Sequence, residues 1–203
     1  MLQLVKKDFY IHKMIWFLMI LGMGTYIFLQ APPLFIGIIF CITMTNQLFA
    51  IDEKKETQLL LNSLPFTRKE IVSSKYVTAF LYILSIIATI SVFHILVHQK
   101  LPDHAQLLVM AIVGLAIVSI CYPFAYRFST KYFNFLYGGI IAVYFICLKL
   151  FIPNLHDQIR YISSQLLTEK YIVLYMCLLF ATLLLYGLSW LLSIRIYSKK
   201  VFE

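Results

Sequence analysis

Six apolar runs, at about 14–30, 32–51, 76–98, 105–126, 132–152 and 171–195, take up most of this chain. Each is close to the ~20 residues that cross the hydrocarbon of a bilayer as a helix. The runs are continuous and lack the apolar–polar alternation of barrel strands. Lipid offers exposed backbone groups no hydrogen-bond partner, so helices are the expected solution. The sequence predicts an all-α integral membrane protein with six transmembrane helices, in one membrane domain over residues 1–203. Composition agrees. The chain is 62% hydrophobic and 13% charged, whereas soluble domains average about 45–50% apolar and about 25% charged.

The first two runs are separated by Gln30, Ala31, Pro32 and Pro33. Paired prolines do not continue a helix, so a tight hairpin is expected there. Residues 1–13 place Leu2, Val5 and Phe9 on one helical face, with Lys6, Lys7 and Lys13 elsewhere. That pattern predicts a short N-terminal interfacial helix leading into the first span. Leu29-Gln30-Ala31 before Pro32 is a poor cleavage site, so residues 1–30 are expected to stay in the mature protein.

Lysine and arginine set the orientation. Thirteen of them (Lys6, Lys7, Lys13, Lys54, Lys55, Arg68, Lys69, Lys75, Arg127, Lys131, Arg195, Lys199, Lys200) fall on one side of the six spans, and four (Lys100, Lys149, Arg160, Lys170) on the other. The richer side is the cytoplasmic one. Both termini and the loop 52–75 are therefore expected in the cytosol of a multi-pass cell-membrane protein. The net charge of +8 reads as a topology signal and a match to anionic lipid, not as a nucleic-acid surface, because it is spread over the span ends.

Several function classes lack their chemistry. There is no GxxxxGK[ST] phosphate loop, so the chain is not expected to hydrolyse ATP by itself. All nine carboxylates (Asp8, Asp52, Glu53, Glu56, Glu70, Asp103, Asp157, Glu169, Glu203) are read as lying at loops or span ends. An ion-coupled carrier would need one buried among the spans, and an intramembrane enzyme would need a reactive constellation there. Cys41, Cys121, Cys147 and Cys177 sit inside spans without a CxxC pair and read as small apolar packing residues. His94 and His98 share a helical face, with Asp103 and His104 following. Without an HExxH glutamate the expectation is interfacial histidines and no metal. Lys149, four residues before Pro153, reads as a snorkelling side chain. The in-span polar residues Thr43, Thr45, Asn46, Gln47, Ser85, Thr89, Ser91 and Ser119 are expected to hydrogen-bond between helices.

Two loops are organised. After Pro153-Asn154, Leu155, Ile159, Ile162 and Leu166 form one stripe, predicting a short extracellular amphipathic helix between spans five and six. The loop Asp52–Lys75 is the polar centre of the chain and carries nine charged residues. Within it, Thr67-Arg68-Lys69-Glu70 is a capping box, and Phe66 and Ile71 hold the positions of a hydrophobic staple. A helix is therefore expected to begin at Thr67 and to run on as span three. Pro65 forces a break before it. Upstream, Asp52–Asn62 is predicted as a separate short helix, with Asp52 and Glu53 suited to its N-terminus and Leu59, Leu60, Leu61 and Leu64 forming an apolar patch. A leucine patch in the cytosol is a docking surface.

At Glu53-Lys54-Lys55-Glu56-Thr57, Leu60-Leu61-Asn62-Ser63-Leu64-Pro65-Phe66-Thr67-Arg68-Lys69-Glu70-Ile71-Val72 and Ser74-Lys75-Tyr76, the chain resembles the small ABC-2-type permeases. These are the membrane subunits of bacterial ATP-binding-cassette exporters. It is similar to the permeases of antimicrobial-peptide and phenol-soluble-modulin exporters. The topology is alike over the whole chain, and the motif is sharp over 53–76.

The resemblance implies an ATP-binding-cassette ATPase subunit as partner and a second permease copy or homologous permease. It also implies that the chain has no cofactor of its own, since the partner binds ATP. Asp52–Leu64 would be the coupling helix, and Thr67–Lys75 the lever into span three. The residues expected to couple to the ATPase are Glu53, Lys54, Lys55, Glu56, Leu59, Leu60, Leu61, Leu64, Pro65, Arg68 and Lys69, with Thr67 and Glu70 as the helix cap. Arg68 and Lys69 would meet acidic residues of the ATPase. The implied function is export of an amphipathic peptide, antimicrobial or lipid-like substrate. The competing reading is a non-transport polytopic protein, an assembly or sensory partner, that docks a cytosolic protein through the same loop.

Overall fold

A computed structural model describes residues 2–29, 33–50, 66–128 and 171–199. These form five helices in chain order: α1 (Leu2–Phe28), α2 (Pro33–Ala50), α3 (Arg68–His98), α4 (His104–Arg127) and α5 (Ile172–Lys199). Four of them, α1, α3, α4 and α5, are long and apolar enough to cross a membrane, and α2 is a shorter apolar helix. There is no strand among the described residues. The expected fifth span (132–152), the amphipathic helix after Pro153 and the Asp52–Asn62 helix lie outside the described residues.

The first four helices alternate in direction, and α5 runs parallel to α4. The starts of α1 and α3 and the ends of α2, α4 and α5 meet at one end of the bundle, here called basal. Arg68 there reaches the last turn of α5, and Phe49 packs on Tyr122 and Tyr126. Helix α3 packs against each of the other four, and the most extensive single pairing is α4 with α5. Small residues let α2 approach its neighbours. The Cα of Gly37 faces Met110 and Ile90, and that of Gly114 faces Cys41 and Ile83. Large apolar side chains stand on the outside of α5, with Val173, Phe180, Leu188 and Leu191 all exposed. In water such a face would be a liability; against acyl chains it is the favourable surface.

Three expectations are corrected. No separate interfacial helix precedes the first span, because Leu2–Phe28 is one uninterrupted helix. Its buried stripe is Leu4, Asp8, His12, Met19, Met23 and Ile27. That 4,4,7,4,4 spacing carries the first turns into the bundle on the same face as the later ones. Leu2 is on the outside, and Phe9 leans on Tyr82 with ring centroids 4.6 Å apart.

The second concerns Asp8: it lies near the start of α1, as expected of an end charge, but it is buried among the helices, 1% exposed. The third concerns the small in-span hydroxyls, most of which do not bridge helices. Thr43, Thr45, Ser85, Thr89, Ser91 and Ser119 each donate to a carbonyl of their own preceding turn. A short hydroxyl reaches its own i−4 carbonyl more readily than another backbone.

The bridges between helices come from other side chains, serines of α5 and the tyrosines and tryptophan around them. Pro123, inside α4, has no N–H and so leaves the carbonyl of Ser119 without its helical donor. Ser189 of α5 donates to that oxygen at 2.6 Å. Trp190 stacks on Tyr76 at 5.7 Å and donates its indole N–H to Ser73. The Tyr186 hydroxyl donates to the Tyr76 carbonyl at 2.6 Å.

Candidate functional site at the basal end of the bundle

Helix α3 begins as its sequence requires. Thr67 is extended (φ −71°, ψ 149°), and its hydroxyl accepts from the Glu70 N–H at 3.3 Å. The Glu70 carboxylate returns to the Thr67 N–H at 2.8 Å and to the Thr67 hydroxyl at 2.9 Å. These reciprocal bonds satisfy groups that a helix start leaves unpaired. Phe66 packs with Ile71, Leu4 and Tyr197, which fixes the direction in which the chain enters the helix.

Arg68, expected to face an acidic partner, donates from Nη1 to the carbonyls of Tyr197 and Ser198, 3.2 Å from each. Those carbonyls belong to the last turn of α5, where a cation also suits the helix dipole. Lys69 is exposed. Glu53, Lys54, Lys55, Glu56, Leu59, Leu60, Leu61, Leu64 and Pro65 lie outside the described residues, which resume at Phe66.

Two turns further in, α3 carries a buried cation. Lys75 is 3% exposed, and its ammonium donates to Asp8 Oδ1 at 2.9 Å. Lys7 approaches the same oxygen at 3.3 Å from a more open position. The Thr78 hydroxyl lies 3.5 Å from Asp8 Oδ2, and the Tyr82 hydroxyl donates to the Asp8 carbonyl at 3.4 Å. Lys75 also donates to the carbonyl of Leu48 at 3.4 Å. His12, one turn after Asp8 and equally buried, faces the Asp8 carbonyl through Nδ1 at 2.7 Å and the Gln47 carbonyl through Nε2 at 3.3 Å. Three helices thus meet on one ion pair directly inside the ends of the 51–65 segment.

Sequence reasoning missed Asp8 and Lys75 as partners, although a signal was present. Asp8 and His12 continue the stripe of Met19, Met23 and Ile27 backwards in steps of four and seven. Lys75 falls between Ile71 and Thr78, Ala79 and Tyr82 on the buried face of α3. Opposite charges on two core-facing stripes can be buried only together.

At the other end of α3, Gln99 adopts the left-handed conformation (φ 53°) and returns its N–H to Ile95. Lys100 then presents its carbonyl to Nδ1 of His94 at 2.8 Å, and the His94 and His98 rings lie 4.7 Å apart. No group of three or more metal-ligating side chains occurs among the described residues. Cys41 is buried, Cys121 half-buried and Cys177 exposed, all as free thiols.

The chemistry at the basal end is that of holding and positioning: a capped helix start, an arginine on a helix end and an ion pair shared by three helices. That suits a membrane subunit moved by something else. No curated protein matches the chain, and no solved structure does. The profile of the family described as "ABC-2 family transporter protein" matches residues 3–198, nearly the whole chain and all five helices. The chain therefore belongs to the ABC-2 transporter family, as an ABC-2-type membrane permease.

Proposed function

We propose that this permease works as the membrane half of an exporter and takes its energy from a separate ATP-binding-cassette ATPase that docks on segment 52–64. Family membership makes the chain a membrane permease of an ABC transporter with an ABC ATPase as its partner. The docking site is our reading. Its main support is the construction of α3, whose N-terminus is capped by Thr67 and Glu70 immediately after that segment. From there the helix runs unbroken to His98 against all four other helices. A push on residues 52–64 would be delivered to the helix that packs on all the other described ones.

In this reading the basal end is cytosolic, following the excess of Lys and Arg there. Six spans cross the membrane, two permease copies or two homologous permeases pair, and Leu59, Leu60, Leu61 and Leu64 fill a groove of the ATPase. The leucines carry the contact, at about 1.5–3 kcal/mol each if fully buried, while exposed charge pairs at Lys54, Lys55 and Lys69 add about 0–1 kcal/mol. The transported molecule is an amphipathic peptide or lipid-like compound that reaches the paired permeases from the bilayer. ATP is bound and hydrolysed in the partner, and the permease needs no cofactor of its own.

The test uses the permease with its ATPase in inside-out vesicles and a fluorescent synthetic amphipathic helical peptide as probe. Export predicts ATP-dependent accumulation of the probe in the lumen and a faster ATPase rate in its presence. A coupled ATPase that neither responds to the peptide nor moves it would remove the assigned substrate class.

A further inference from the structure

We propose that Asp8 and Lys75 are positioning residues for transport: their ion pair is the joint through which movement at the end of α2 reaches α1. The inference rests on the reading that the ATPase acts on segment 52–64. It starts from the last described turn of α2, which carries the carbonyls of residues 47–50. Two of these meet side chains of different helices. Lys75 of α3 donates to Leu48 O at 3.4 Å, and His12 of α1 faces Gln47 O at 3.3 Å. The same ammonium holds Asp8 at 2.9 Å, so one charge ties the end of α2 to the first turns of α1.

Stability alone does not account for the pair. Asp8 is 1% and Lys75 3% exposed, and burying two charges costs about as much as their attraction returns. Leucine and methionine would fill the same space without that cost. What the pair adds is direction: an ammonium of α3 bonded to a carboxylate of α1 and to a carbonyl of α2 fixes three helices in one register, which an apolar contact would let slide. Helix α1 packs on α3 and α2, so the joint is its polar attachment at the end where force would enter. The lever is then the basal ends of α1, α2 and α3 together, and not α3 alone.

The experiment uses the full chain with its ATPase in vesicles. Phe28, exposed at the far end of α1, is replaced by cysteine in a background with the four native cysteines changed to serine. The rate of maleimide labelling at Phe28→Cys is then read with and without ATP plus vanadate. The parent should show an ATP-dependent change in rate. The Asp8→Leu/Lys75→Met variant should bind the ATPase and keep or raise its thermal midpoint, yet lose that change. Lys75→Arg, which keeps both bonds within reach, should retain it. A double variant that folds, binds the ATPase and still responds to ATP would show a merely structural pair and overturn the proposal.

Hydrogen exchange on the unsubstituted complex gives a second reading that does not depend on any variant folding. ATP plus vanadate should alter protection at residues 46–50 and 2–12 together, and a change at 46–50 without one at 2–12 also overturns it. A parent complex that binds no ATPase removes the docking reading itself, and the joint falls with it.

Discussion

The single residues that matter most here are polar side chains whose partners sit one turn away or one helix away. Thr67 and Glu70 belong to the first kind. Removing the hydroxyl in Thr67→Ala is expected to cost about 0.5–2 kcal/mol at the start of α3, read as faster hydrogen exchange at residues 68–72. The bonds to Glu70 also give a pH dependence. First the Thr67 backbone N–H and then its hydroxyl hold the Glu70 carboxyl below its ordinary value. A carboxyl lowered in the folded state stabilises fully above its unfolded value and loses that contribution as pH falls through the folded one. Protection at 68–72 should therefore drop on acidification below the usual glutamate range, near 4.3, and Glu70→Gln should flatten that dependence. This cap was legible in the sequence because every participant lies within four positions. Asp8 and Lys75 were not, since their pairing spans 67 positions and each alone looks like a charge at a span end. Only the burial stripe of α1, followed backwards from Ile27, exposes the exception.

At the scale of elements, α3, α4 and α5 are joined by a hydrogen-bond chain whose direction is set by a proline. Pro123 frees the Ser119 carbonyl, and Ser189 spends its only hydrogen there. The Tyr76 hydroxyl, 2.8 Å from Ser189 Oγ, must then donate to it, and Ser193, 2.7 Å away, donates to Tyr76. Ser189→Ala leaves a buried carbonyl unpaired, and a loss of about 1–2 kcal/mol is expected, read as a lower thermal midpoint in detergent. Pro123→Ala returns an N–H to α4 and should make Ser189→Ala less costly, so the double mutant should show a favourable coupling. Additive losses would contradict the assignment. The helices themselves were readable from their apolar runs, and α2 and α4 match their expected spans within a few residues. The inter-helix bonds were not readable, because a hydroxyl in a span has its own preceding turn as an equally good acceptor. Sequence spacing does not say which one it takes.

The whole molecule is a membrane permease of the ABC-2 family, and among its described helices α3 packs on all the others. That α3 would be both capped at its start and continuous with a span followed from Thr67-Arg68-Lys69-Glu70 and the apolar run behind it. That it would touch each of the other four described helices did not, since contacts across a bundle depend on packing and not on local pattern. The Arg68 guanidinium on the last described turn of α5 and the Asp8–Lys75 pair against Leu48 of α2 brace the helices at the basal end. Such bracing is suited to transmitting a displacement because the bonds are directional and two of the partners are buried. In the proposed reading the energy comes from the partner ATPase, so the account stands on docking at segment 52–64. The most direct measurement is co-purification of the ATPase with the permease, comparing the wild type with Leu60→Asp and Leu61→Asp variants inserted in the membrane at equal levels. The account predicts that the wild type retains the ATPase and that each variant loses it. Retention of the ATPase by both variants at the wild-type level would contradict the account.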